Sequence, residues 1–150
     1  MTQAPDLRDG PPPRWCEAVE GVAWLPRFAA KARAYHNGTL GMYLYGESPV
    51  DDGFLKRARL DYGSFLELVL AQPDDAAVLA EIERRTPGAT AALRDWSRRL
   101  RSRWGWFMAT LDVDDGYARS PFAAIARKLA NALSVPIVLA ARSLRKTSRT

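Results

Sequence analysis

Stripes of apolar residues at helical spacing run through this chain, and proline or glycine repeatedly cuts them within a few turns. Leu25, Phe28, Ala29, Ala32 and His36 share one helical face, with Pro26 fitting a first turn and Asn37-Gly38 closing the helix in the left-handed conformation that glycine adopts freely. Asp61 is an N-cap for the stripe Tyr62, Phe65, Leu66, Val69 and Leu70, which Pro73 stops. Asp74 or Asp75 caps the next helix, with Val78, Leu79 and Ile82 inward. Thr86-Pro87 then opens a longer helix to about Arg103, with Leu93, Trp96, Leu100 and Trp104 along its inner stripe, ahead of a turn at Asp112–Gly116. Beyond Ser120-Pro121 come Phe122, Ile125, Ala126, Leu129, Ala130 and Leu133, and after Pro136 come Ile137, Ala140, Ala141 and Leu144. Helices this short bury their apolar faces only against one another. The expected fold is therefore all-α, an orthogonal bundle of five to seven short helices. The alternating Met42–Tyr45, bracketed by Gly41 and Gly46, leaves room for a very short strand pair near residues 39–46. Ser48–Gly53 reads as a turn cluster, with a short helix over Gly53–Arg59.

A chain of 150 residues is long enough to bury a core, and 47% hydrophobic with 26% charged residues is ordinary globular composition. Residues 1–15 read as a flexible leader with a polyproline piece at Pro11-Pro12-Pro13, residues 16–118 as one helical domain, and 119–150 as a basic helical extension docked on the bundle or on a second copy of it. The opening residues lack the apolar run of a secretory signal, and the most apolar window, Val135–Ala141, is far short of the ~20 residues a transmembrane helix needs. With one cysteine there is no internal disulfide framework, so the expected compartment is cytoplasmic. The net charge of +5 is unevenly divided: Met1–Asp115 carries −2 and Gly116–Thr150 carries +7 with no acidic residue.

Catalytic motifs are not legible. GxxxxGK[ST] and GxGxxG are both absent, and one His and one Cys exclude a thiolate- or imidazole-rich zinc site, so no metal, cofactor or catalytic residue is assigned. His36 reads as packing on its stripe at a helix C-terminus and Cys16 as a small, partly buried hydrophobe. Asp112, Asp114, Asp115 and Gly116 miss the calcium-loop spacing, because glycine comes one residue early and the twelfth position is Ala123. They read as an acidic turn, as do Asp51-Asp52-Gly53. Arg27, Lys31 and Tyr35 fall at i, i+4 and i+8 on a face beside the apolar stripe. With Thr39, Tyr43, Tyr45 and the amides near Gly38 and Gly41 they sketch an anion-friendly pocket. The alternative is a solvated basic face above ordinary turns. Arg94, Arg98 and Arg101 line one face of the longer helix, and with Arg142, Arg145 and Lys146 of the tail they form a second candidate surface for nucleic acid. Its alternative is an exposed arginine face opposite a tryptophan-rich core, with Asp95 pairing to Arg99.

The set Leu25-Pro26-Arg27, Lys31-Ala32-Arg33 and Gly38-Thr39-Leu40-Gly41 followed by Tyr, an LPR…KAR…GTLG…Y pattern, resembles an uncharacterised bacterial family, domain of unknown function 5069. The resemblance spans about residues 6–116. It is supported by the Leu60–Ile82 helical pair, by Thr86-Pro87 with Trp96, and by Trp106-Phe107 with Leu111–Gly116. It departs at Pro49–Arg59 and is absent after Gly116. The resemblance implies a small, soluble, mostly helical bacterial domain with no established activity, and it transfers no functional residue. The expected function is a non-enzymatic binding or interaction domain for a protein or a small anionic ligand. Alternatives are a nucleic-acid binder using the arginine helix and basic tail, and an enzyme acting on a small anionic metabolite.

Overall fold

A computed structural model of the chain describes residues 4–117 and residue 132. Among the described residues the fold is mostly helical, with one short strand pair. Strands β1 (Ala18–Val19) and β2 (Val22–Ala23) precede helices α1 (Leu25–His36), α2 (Pro49–Ala58), α3 (Tyr62–Ala71), α4 (Asp75–Arg85) and α5 (Ala89–Asp114). The chain divides into two compact units, residues 1–105 and 106–150, and the boundary falls inside α5. The basic extension 119–150 apart from residue 132, and with it Arg142, Arg145 and Lys146, lies outside the described residues.

The strand pair is not at residues 39–46, which form turns, but upstream. β1 and β2 pair antiparallel, Ala18 with Ala23 and Val19 with Val22, around Glu20 (φ 48°) and Gly21 (φ 82°). Positive φ at both central residues is the twist-matched two-residue hairpin geometry. The buried N–H of Ala23 donates to Ser97 Oγ of α5 at 2.9 Å, so this hairpin is pinned by a residue 74 positions later.

Three helix starts follow side-chain caps. Asp61 accepts from Ser64 N at 2.7 Å and Asp74 from Ala77 N at 2.8 Å, as expected from the sequence. α2 corrects the turn reading of Ser48–Gly53. Ser48 is its N-cap and Pro49 stands in its first turn, so the acidic pair Asp51-Asp52 occupies the positive end of a helix dipole. α5 starts at Ala89 and is closed by a neighbour, because Glu83 of α4 accepts from Gly88 N at 2.7 Å and Thr90 N at 2.8 Å. The Thr86 hydroxyl turns instead to Ala58 O. α5 also passes Arg103 and Gly105 without a break.

The core of the first unit centres on α1. Phe28 is fully buried, stacked on Phe65 of α3 with centroids 4.1 Å apart, and meets Phe54 of α2 edge-on at 5.6 Å. Burying each such ring contributes roughly 1.5–3 kcal/mol, with a further increment from ring geometry. Leu93, Trp96 and Leu100 of α5 are buried, but Trp104 is 53% exposed and leaves the inner stripe assigned to it. The opening segment packs rather than hanging free. Leu7, Pro12 and Trp15 are buried, and Leu7 N donates to Thr39 O at 2.9 Å.

Candidate functional site

Helical spacing places Arg27 and Lys31 one turn apart on α1, and both are buried at 4% exposure. A solvated basic face is thereby excluded. The reason is a partner in α2. Asp51, with no exposed surface, takes Lys31 Nζ at 2.8 Å on Oδ2 and 3.0 Å on Oδ1. Trp24 Nε1 donates to the same Oδ1 at 2.8 Å. Trp24 is the N-cap residue of α1, held at φ 72° with no side-chain cap bond, a costly conformation for a residue with a Cβ. Its indole N–H is aimed at Asp51, so the corner between β2 and α1 serves the carboxylate. Burial pushes the Asp51 carboxyl above its ordinary range against the opposing pull of Lys31 and the indole. Lys31 Nζ also lies 5.3 Å from the Trp24 ring centroid and 5.5 Å from that of Phe28.

Arg27 sits one turn earlier, its guanidinium 5.5 Å from the Trp24 ring centroid and 5.7 Å from that of Tyr43. Its Nη1 donates to Pro13 O at 3.1 Å. Thr39 does the matching job at the far end of the helix: its hydroxyl donates to Pro5 O at 3.0 Å, and its carbonyl accepts from Leu7 N. Two residues assigned to a ligand pocket thus hold the chain's own proline-bearing opening segment. Between that segment and the turn after α1 lies a groove of about 360 Å³ lined by Leu7, Arg8, Asp9, Gly10, Gly41, Met42 and Tyr43. Met42 is 86% and Leu44 61% exposed on that turn.

The tyrosines form a separate cluster. Tyr35, half exposed, stacks on Tyr45 at 5.0 Å, and Tyr45 meets Tyr62 edge-on at 5.5 Å. Tyr45 OH donates to Tyr62 O at 2.9 Å, and Tyr62 OH donates to Asp52 Oδ1 at 2.9 Å. Burial raises the Tyr45 hydroxyl well above the ordinary tyrosine range, which keeps it neutral. The six residues predicted for one pocket therefore divide. Lys31 belongs to the Asp51 pair, Arg27 and Thr39 to the opening segment, Tyr43 to Arg27 and the groove, and Tyr35 with Tyr45 to the aromatic cluster.

The arginines of α5 are also engaged. Arg94 Nε donates to Glu20 O at 2.6 Å and Arg101 Nη2 to Cys16 O at 2.7 Å, which fastens α5 to the hairpin region. Arg98 and Arg99 both reach Asp95, so the expected pairing of Asp95 with Arg99 is present. His36, the last residue of α1, is exposed rather than packed on its stripe, and Cys16 is half-buried. Asp112 and Asp114 lie within α5 rather than in a turn, and Asp112 is buried. Among the described residues no group of three or more His, Cys, Asp or Glu could hold a metal ion, and no helix is long and apolar enough to cross a membrane.

Trp24 and the carbonyls of Pro5 and Pro13 were not among the residues assigned to a site from the sequence, and Asp51 was read only as part of an acidic turn. Ser48-Pro49 followed by Asp51 is a helix-start signal that could have moved Asp51 out of the turn class. Nothing in the sequence pairs it with Lys31.

The model of a family described as Domain of unknown function (DUF5069) matches residues 12–131. The match begins six residues later than the resemblance traced from the sequence and runs fifteen residues further, past Gly116 and across Pro49–Arg59. None of the curated proteins matches the chain.

Proposed function

The chain belongs to the DUF5069 family, and we propose that it is a non-enzymatic interaction domain whose contact surface is the turn after α1, and that its partner is a protein. The observation that carries this reading is the pair Met42 and Leu44, exposed at 86% and 61% on a turn that is held in place. Thr39 fixes one end of the turn through Pro5 and Leu7, and Tyr45 fixes the other through Tyr62. Two exposed apolar side chains two residues apart on an anchored loop suit a protein contact. The groove beside it mixes Leu7, Met42 and Tyr43 with Arg8 and Asp9, a lining suited to a peptide rather than to an anion.

The small-anion version of the reading loses its cations. Lys31 is matched by Asp51, Arg27 is enclosed, and the N-termini of α2, α3, α4 and α5 are closed by Ser48, Asp61, Asp74 and Glu83. In the enzyme version, Asp51 has no exposed surface and the Tyr45 hydroxyl donates to the Tyr62 carbonyl. In the nucleic-acid version Arg94 and Arg101 are drawn onto backbone carbonyls of the same chain.

A photo-cross-linking side chain at position 44 of the full chain, used in cells, tests the proposal. A discrete protein adduct from position 44, absent from a control at Leu70 (42% exposed) and lost on Met42→Ser, is the expected result. Equal labelling from both positions, or none from 44, overturns it.

A further inference from the structure

Arg27 and Thr39 look like ligand-binding residues in the sequence, and each binds a proline carbonyl of the chain's own opening segment. Arg27 Nη1 holds Pro13 O at 3.1 Å and Thr39 Oγ1 holds Pro5 O at 3.0 Å. Leu7, between Pro5 and Pro13 in the sequence, is buried at 4% exposure, and Pro12 is buried. Arg27 lies within 5.7 Å of the Tyr43 ring centroid and 5.5 Å of that of Trp24, an arginine-and-aromatic wall of the kind that receives extended proline-bearing chains. Resting on the interaction reading above, we propose that residues 5–13 are a resident, displaceable ligand. The partner recognised here is then an extended, proline-bearing segment of another protein, which takes the leader's place on Thr39 and Arg27.

Three observations support exchange rather than permanent closure. Pro5, Pro11, Pro12 and Pro13 have no N–H, so these positions cannot join a strand ladder and bind through carbonyls and apolar surface. Arg8 and Asp9 project into solvent in the middle of the segment, and Arg8 pairs with Asp6 of the same segment rather than with the body. The groove between Leu7–Gly10 and Gly41–Tyr43 leaves open volume along the leader's flank, where an incoming chain can begin to pair before the leader departs. The close approach is specific, because a Cβ on Gly41 would stand 2.9 Å from Leu7 O.

The test uses the full chain and a synthetic peptide with the sequence of residues 4–14, titrated by NMR. In wild type the leader competes, so the apparent affinity is reduced by the fraction of chains whose site is open. Leu7→Ser removes the apolar anchor and is expected to tighten peptide binding about tenfold or more, with shifts at Thr39 and Tyr43. Equal affinity for both chains, or no binding to a folded Leu7→Ser chain, overturns the proposal. A measurement on the unaltered protein guards against a variant that fails to fold. The Leu7 amide should exchange with solvent at least about a hundredfold faster than the Phe28 amide, through local opening. Leu7 protection equal to that of Phe28 means the segment leaves only on global unfolding, which also overturns it. Because none of these measurements depends on Met42 or Leu44, their failure leaves the contact surface proposed above standing.

Discussion

Lys31 Nζ and Asp51 Oδ2 lie 2.8 Å apart with side-chain exposures of 5% and 0%, an ion pair joining α1 to α2 inside the first unit. Removing one member leaves a buried charge without its partner. Asp51→Asn should therefore destabilise the protein by about 3–5 kcal/mol, whereas the double replacement Lys31→Met with Asp51→Leu should come far closer to wild type. Urea unfolding of the two single variants and the double variant measures this. A double variant as unstable as the sum of the singles refutes it.

Trp24 contributes a hydrogen bond to the same carboxylate. Trp24→Phe keeps most of the ring but deletes the indole N–H, and a hydrogen bond to a charged acceptor is worth about 1.5–3 kcal/mol. The loss should largely vanish when measured in the Asp51→Leu background, where no carboxylate remains to accept. An unchanged loss there assigns the effect to packing alone.

At Gly41 two constraints coincide: φ is +64° and the Leu7 carbonyl stands where a Cβ would go. Gly41→Ala should cost roughly 1–2 kcal/mol from the left-handed backbone alone. It should also push the opening segment away, so hydrogen exchange at Leu7 speeds up while that in α3 is unaffected. Exchange that rises uniformly across both would show general loosening instead.

Glu83 ties stability to pH. The Gly88 and Thr90 amides hold its carboxyl below the ordinary value of 4.5. The unfolded chain then takes up the proton first. The contribution is complete above pH 4.5 and is lost as the pH falls below that, through the folded-state value. Glu83→Gln cannot titrate, so the stability difference between wild type and variant should shrink as the pH drops from 6 towards 3. Comparing the two cancels other acids in the same range, such as Glu81, which Arg84 and Arg85 pull down to about 2. A difference that stays constant over that range removes Glu83 from the acid response.

The helices that announce themselves locally were legible. Asp61 and Asp74 cap the helices they precede, Pro73 separates them, and Asn37-Gly38 follows the last residue of α1. The later part of α2 lay within the short helix expected over Gly53–Arg59, but its start at Pro49 was hidden because Asp51-Asp52-Gly53 has turn composition, although acids also suit the first turn of a helix. The hairpin at 18–23 was missed because its strands are two residues long and its turn is Glu20-Gly21 rather than an asparagine–glycine pair. Within the site, spacing brought Arg27 and Lys31 to one face but said nothing of what covers that face. The covers are Asp51, twenty positions on, and Pro13, fourteen positions back. Such pairings arise from tertiary packing, which periodicity does not encode.

The bond from Ala23 N to Ser97 Oγ has a consequence for how the molecule is made. The aromatic contacts among α1, α2 and α3 can form once Phe65 has left the ribosome, since Phe28, Phe54 and Phe65 are all translated by then. The buried amide of Ala23 has no such early partner, and its acceptor is synthesised 74 residues later. Until α5 emerges, the nascent chain carries an aromatic nucleus beside an unmatched donor, a combination that leaves the hairpin open to water. The last step of closing the first unit therefore belongs to α5. A chain stalled or truncated before Ser97 should be recognisable by rapid proteolysis at residues 18–23 while α1 to α3 resist.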